Sequence, residues 1–283
     1  MSNGPAGHVE RSTVRPYPET GRRGPIRTFL CTADGVPVDS VYDPGTVVYE
    51  RHPYTSRTRS GDLVFVVAHG FTGDADRPHV RRVAGVLRGY GAVVTFSFRG
   101  HGRSGGRSTV GDREVLDLAA AVEWARGLGH TRVATVGFSM GGSVVLRHAA
   151  LNPGTVDAVV SVSAPARWYY RGTAPMRRVH WLVTRPEGRL VGRYGLRTRI
   201  HHREWDPVPL SPVESVPRIA PAPLLIVHGD RDGYFPLDHP RMLAEAAGDH
   251  GELWVEPGMG HAEHAAEDAL LGRIADWVST RAG

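Results

Sequence analysis

Ser139 sits in Gly-Phe-Ser-Met-Gly, with Gly137 and Gly141 two residues to either side. A serine hydroxyl is a weak nucleophile at neutral pH and needs a base to take its proton. That base is usually histidine, whose pKa lies near working pH. The histidine in turn needs a carboxylate to fix its tautomer and stabilise the imidazolium. Downstream of Ser139, Asp230 and Asp232 follow one apolar run, and His261 and His264 follow another. The same G-x-S-x-G pattern recurs at Gly102-Arg-Ser104-Gly-Gly106, and in a chain with 35 glycines a lone match carries little weight. Only the surrounding elements separate the two serines.

Those elements are legible as continuous apolar or β-branched runs: Leu63 to Ala68, Ala92 to Phe98, Arg132 to Val136, Ala158 to Ser163, Pro223 to His228 and Glu252 to Val255. Strands apolar on both faces belong in a parallel sheet covered by helices. Val115, Leu118, Ala119 and Val122 form one helical stripe, and Ser143 to Ala150, His239 to Ala247 and Glu263 to Val278 also read as helices. The alternation predicts a doubly wound, mostly parallel α/β sheet, with ligands bound beyond the carboxyl ends of its strands. Ahead of it, the stretch from Arg27 to Tyr42 and then Thr46 to Arg51 reads as short strands, with a hairpin signal at Asp34-Gly35.

A nucleophile on a strained turn needs a strand, a tight turn and a helix in direct succession. Ser139 meets that specification: Val136 ends a strand and a helix follows, so the serine lies at the positive end of a helix dipole. Ser104 lies in a long polar loop with no helix before about Asp112 and reads as a loop residue. For the base, His261 follows the strand around Glu252 to Val255 and a Gly-Met-Gly turn that swings it over the sheet edge, with His264 its local rival.

From about Phe29 to Trp277 the chain resembles the α/β-hydrolase-fold serine hydrolases, esterase- or lipase-like. The resemblance is carried by five motifs in order: His69-Gly70-Phe71-Thr-Gly-Asp74, Phe98-Arg-Gly-His101-Gly, the Ser139 turn, His228-Gly-Asp230-Arg-Asp232 and Gly258-Met-Gly-His261-Ala-Glu-His264. It implies the α/β-hydrolase fold, chain order serine, acid, histidine, and an acid four residues after the strand-terminal histidine, which selects Asp232 over Asp230. The implied catalytic residues are Ser139, Asp232 and His261. The implied oxyanion donors are the backbone N–H groups of Phe71 and Met140, with the His69 side chain bracing its loop. The implied activity is cleavage of esters of small to medium acyl groups through an acyl-enzyme. Thioesters such as acyl-CoA, amides and C–C bonds remain open on the same residues, as does a vestigial, ligand-binding version of the fold.

Residues 165–222 break the rhythm, with many arginines and no core strand, so they are expected to form a helical cap between core segments 26–164 and 223–283. Trp168, Tyr169, Met176 and Trp181 are candidates either for a substrate pocket or for the cap's own small core. The cap arginines suit either solvent or an anionic leaving group. His201-His202 reads as cap surface. Residues 1–25 lack the apolar content to order themselves and are expected to be a disordered tail.

The chain has no lysine, so all 34 basic residues are arginine, and the formal charge is +5. These arginines are dispersed along the chain, so no nucleic-acid partner is expected. There is no apolar stretch of signal-peptide or membrane-spanning kind, which points to a cytoplasmic protein. Neither His-Glu-x-x-His nor a phosphate-binding glycine loop occurs, so no metal and no organic cofactor is expected. The single Cys31 excludes an intramolecular disulfide and reads as a small buried hydrophobe. The sequence leaves monomer and homodimer equally open.

Overall fold

The computed structural model describes residues 24–46 and 62–282. The expected disordered tail, and most of the second short strand read at Thr46 to Arg51, lie outside those residues. Strands β1 (Ile26–Cys31) and β2 (Pro37–Asp43) form the hairpin signalled by Asp34-Gly35, with Gly35 at a φ of 78°. Cys31 is exposed rather than buried. It ends an edge strand, and its side chain falls on that strand's outer face.

Six further strands follow: β3 (Leu63–Ala68), β4 (Ala92–Phe96), β5 (Arg132–Phe138), β6 (Ala158–Val162), β7 (Leu224–Gly229) and β8 (Gly251–Glu256). The sheet order is β1-β2-β4-β3-β5-β6-β7-β8. β2 runs antiparallel to β4, and every pair from β4 to β8 is parallel. This is the α/β-hydrolase fold.

The period-2 alternation of a strand explains why these runs are apolar throughout. Val64, Val66 and Ala68 of β3 enter one core, while Leu63, Phe65 and Val67 enter the other. The first core is roofed by α2 (Glu114–Gly127), α3 (Met140–Leu151) and α7 (Asp238–Ala247), the second by α1 (Pro78–Leu87) and α9 (Asp268–Arg281). Each fully buried Leu, Val or Phe contributes about 1.5–3 kcal/mol, so two such layers hold the sheet rigid.

Several helices differ from their sequence outline. α1 was not anticipated, although Pro78 at its first turn and Val80, Val83 and Leu87 on its buried face carry the signal. In α2 the buried stripe runs through Ala121 and Ala125 rather than Ala119. α3 begins at Met140, directly after Ser139, not at Ser143. The stretch Glu263 to Val278 is two helices, α8 (Ala262–Ala265) and α9, separated by extended backbone at Ala266 and Glu267.

Between β6 and β7 lie α4 (Ala174–Thr184), α5 (Pro186–Gly195) and the single turn α6 (Pro212–Ser215). Backbone hydrogen bonds tie this segment to the loop after β4: Arg199 N–H donates to Gly100 O at 2.7 Å and His201 N–H to Ser108 O at 2.8 Å. Among the described residues no helix is long and apolar enough to cross a membrane.

Candidate active site

Parallel pairing sets the stage. Ala68 pairs with Gly137 and Phe138 with Val162, so the segments leaving β3, β5 and β6 emerge side by side. Ser139 is the first residue beyond β5, with φ 51° and ψ −113°. That conformation is strained for a non-glycine residue, a strain that persists only where the surrounding structure holds it. Its N–H donates to Val162 O at 2.8 Å. The flanking glycines are required by crowding: a Cβ on Gly137 would lie 2.2 Å from Gly141 O, and one on Gly141 would lie 2.2 Å from Ala68 O.

His261 and Asp232 converge on this serine. His261 Nε2 is 2.9 Å from Ser139 Oγ, and His261 Nδ1 is 2.8 Å from Asp232 Oδ2. Asp232 is fully buried at its side chain, and its second oxygen, Oδ1, accepts from Tyr234 N–H at 2.8 Å and Phe235 N–H at 3.1 Å. Burial pushes this carboxyl up, but the His261 hydrogen bond and charge and the Phe235 N–H outweigh it, holding Asp232 below the ordinary carboxylate value. The Tyr234 ring stacks on the His261 imidazole at 4.1 Å, fixing the ring plane.

The rivals have other partners. Asp230 Oδ1 accepts from Gly258 N–H at 2.6 Å, fastening the acid turn to the histidine turn. The His264 ring lies 3.8 Å from that of His79. Ser104 Oγ is buried, donates to Ser97 O and accepts from Asp39 N–H, so it pins the loop after β4 to β2.

Beside Ser139 runs the His69-Gly70-Phe71 turn; a Cβ on Gly70 would lie 3.5 Å from Ser139 Cβ. Among the described residues neither Phe71 N–H nor Met140 N–H is engaged in a hydrogen bond. His69 Nδ1 donates to Gly70 O at 2.7 Å, and its Nε2 accepts from Phe98 N–H at 3.0 Å. His101 Nε2 accepts from Thr72 N–H, and its Nδ1 donates to Arg99 O. Burial drives both imidazoles down to about 4, so each is a neutral brace in a fixed tautomer.

Glu263, His101, Ser163 and Tyr234 escaped sequence reasoning as positioning groups. Glu263 is buried and accepts from Gly70 N–H at 2.9 Å. Ser163 Oγ, just past β6, accepts from Ala262 N–H at 3.1 Å and so sets the chain next to His261, where Ala262 has a φ of 55°. Glu263 and His101 lie inside motifs quoted above, but nothing in their spacing announces such contacts.

Of the four candidates within residues 165–222, two share one partner. Trp168 and Tyr169 pack on Trp205 at 5.1 and 5.6 Å, and Trp168 Nε1 donates to Pro209 O. Met176 lies in the first turn of α4, and Trp181 farther along it is 46% exposed. A cleft of 250 Å³ in this region is lined by Arg107, Arg189, Arg193, Arg199 and His202 around Leu190 and Ile200, and does not include Ser139, Asp232 or His261.

Residues 36–206, more than half of the chain, match the family described as X-Pro dipeptidyl-peptidase (S15 family). The chain is similar to a monoacylglycerol lipase of Mycolicibacterium smegmatis, 29% identical over 258 residues that cover 76% of this chain and 87% of the relative. Among solved structures it resembles the Pyrococcus furiosus esterase Pf2001, with TM-score 0.70, 22% identity and coverage of 92% and 93% of the two chains. It also resembles XC6422 of Xanthomonas campestris, a serine hydrolase without a lid, with TM-score 0.58, 20% identity and coverage of 94% and 95%. The chain belongs to the X-Pro dipeptidyl-peptidase (S15) family of α/β-hydrolase-fold enzymes.

Proposed function

We propose that this enzyme hydrolyses carboxylic esters of small to medium acyl groups through an acyl-enzyme formed on Ser139. One observation carries the reading: the unbroken line from Ser139 Oγ to His261 Nε2 at 2.9 Å and from His261 Nδ1 to Asp232 Oδ2 at 2.8 Å. Ser139 Oγ attacks the acyl carbonyl while His261 Nε2 takes its proton. Asp232 holds the Nδ1–H tautomer and stabilises the imidazolium. The N–H groups of Phe71 and Met140 receive the oxyanion, each worth about 3 kcal/mol in the barrier. Collapse expels the alcohol, which takes the proton from His261. Water then attacks the acyl-serine with His261 again as base, releasing the acid.

Residues 165–222 act as the cap in this reading. Thr173 Oγ1, at the start of α4, donates to Tyr234 O at 2.9 Å, and the Tyr170 ring lies 6.2 Å from that of Phe235, so the cap is rooted on the acid turn. Two of the named relatives, a lipase and an esterase, support an ester as the bond cleaved. The arginine-lined cleft supports a second reading, a thioester with an anionic leaving group such as acyl-CoA.

The deciding experiment is a panel of p-nitrophenyl esters, an acyl-CoA and an anilide, run on the wild type and Ser139→Ala with salt varied. Turnover of the esters, lowered on the order of 10⁶-fold in Ser139→Ala, is the expected outcome. Near-normal turnover in that variant, or failure of a fluorophosphonate to label folded wild type, overturns the assignment. Faster turnover of acyl-CoA than of any ester, weakened by salt, selects the thioester.

A further inference from the structure

We propose that His79, Glu263 and His264 form a binding site for a divalent transition-metal ion of borderline softness, such as Zn²⁺, behind the Gly70 turn. His79 belongs to the first turn of α1, and Glu263 and His264 to the short helix α8 after His261. Their ligand atoms all lie within 4.8 Å of one another. His79 Nε2 is 3.8 Å from Glu263 Oε1. That is too far for a hydrogen bond. It is close to the roughly 3.4 Å separating two ligands of one tetrahedral zinc with bonds of about 2.1 Å.

An independent observation points the same way. His79 Nε2 is buried and has no hydrogen-bond partner among the described residues. A buried ring nitrogen left unmatched is costly, and a metal bond satisfies it. The His79 and His264 ring centroids lie 3.8 Å apart with their planes inclined at 38°, so the two imidazoles sit side by side next to Glu263. Two imidazoles and a carboxylate suit Zn²⁺, Co²⁺ or Ni²⁺ and disfavour Mg²⁺ and Ca²⁺, which prefer oxygen. His264 is exposed and gives the ion a path in. The sequence concealed the site because His79 comes from an element far from Glu263 and His264 in the chain.

The site has a consequence for turnover, which rests on the reading of Phe71 as an oxyanion donor. Glu263 Oε1 already accepts from Gly70 N–H. A metal ion drawing on that carboxylate weakens its hold on the turn that presents Phe71, and so slows hydrolysis.

The test uses the full chain without a tag, stripped with EDTA, titrated with Co²⁺ and read by its visible d–d absorption, with Zn²⁺ as competitor. One saturable equivalent is expected, displaced by Zn²⁺, with His79→Ala and His264→Ala each weakening it by more than about tenfold. Ser139→Ala binds as the wild type does, so the binding result stands apart from the nucleophile assignment. Zn²⁺ is expected to slow ester turnover in the wild type and not in His264→Ala. No stoichiometric binding, or equal binding by the histidine variants, overturns the site. An unchanged rate at saturation, or equal slowing of His264→Ala, overturns the link to Gly70.

Discussion

Glu263 Oε1 accepts the Gly70 N–H at 2.9 Å, joining residues 193 positions apart in the chain. Gly70 directly precedes Phe71, and Glu263 follows His261 by two residues. One buried carboxylate therefore holds the proposed oxyanion turn in register with the histidine turn. Removing it leaves the Gly70 amide unpaired while the bonds of Ser139, His261 and Asp232 to one another remain.

Glu263→Ala is expected to lower kcat by up to about 100-fold with little change in KM, since a shift of about 1 Å in a catalytic group costs that much. Glu263→Gln keeps an acceptor for Gly70 N–H and is expected to recover most of the rate. Steady-state kinetics of both variants on one ester, with thermal melts to confirm folding, provide the check. A fall in both variants equally, or a change confined to KM, contradicts the positioning role.

Acid should destabilise this protein through its buried histidines. His69, His101, His148 and His239 are each driven down to about 4, chiefly by burial. Between about pH 6.5 and 4 the unfolded chain binds protons that the folded one refuses, so stability falls as pH falls through that window. His148 isolates the effect: burial is the sole cause of its shift, and its Nδ1 has no partner among the described residues. His148→Leu is expected to flatten the dependence of Tm on pH from 7 to 4.5, recovering on the order of 3 kcal/mol at the acid end. An unchanged slope contradicts it.

The parts legible in the sequence were those written in local pattern. Both faces of β3 are apolar because both are covered, so its run of six residues was visible without context. Ser139 was separable from Ser104 because a strand ends and a helix begins around one and not the other. The contacts of Glu263 with Gly70 and of Ser163 with Ala262 were not legible, because they depend on which strand ends lie side by side. The choice of Asp232 over Asp230 came from family resemblance, since both residues sit in one turn. The exposure of Cys31 was not legible either, because composition says nothing of which strand is at the edge.

Arg99 shows how a motif residue far from chemistry matters. Its guanidinium is buried and donates to Asp117 Oδ1 at 2.9 Å and to Asp34 Oδ2 at 2.7 Å, and its own N–H reaches Asp117 Oδ2. This ties the loop after β4 to α2 and to the β1–β2 turn. Arg99→Ala leaves the fully buried Asp117 carboxylate without its cation, and is expected to cost about 3–5 kcal/mol in a urea melt. A loss below about 1 kcal/mol, the value of a surface pair, contradicts the account.

Gly141→Ala tests how tightly the serine turn is wedged against β3. The added Cβ would lie 2.2 Å from Ala68 O and 2.6 Å from His69 O, and neither carbonyl can yield without moving the strand end. The start of α3 must therefore retreat from β3, which separates Ser139 and Met140 N–H from the turn that presents Phe71. The neighbouring Gly142→Ala meets the Ala164 and Ser161 side chains at 2.9 and 3.1 Å, which have more room to adjust. Fluorophosphonate labelling is expected to slow by about 100-fold or more in Gly141→Ala and much less in Gly142→Ala. Both variants should lose Tm, as overpacked cores do. Equal labelling rates in the two would mean that the wedge against Ala68 does not set the geometry of Ser139.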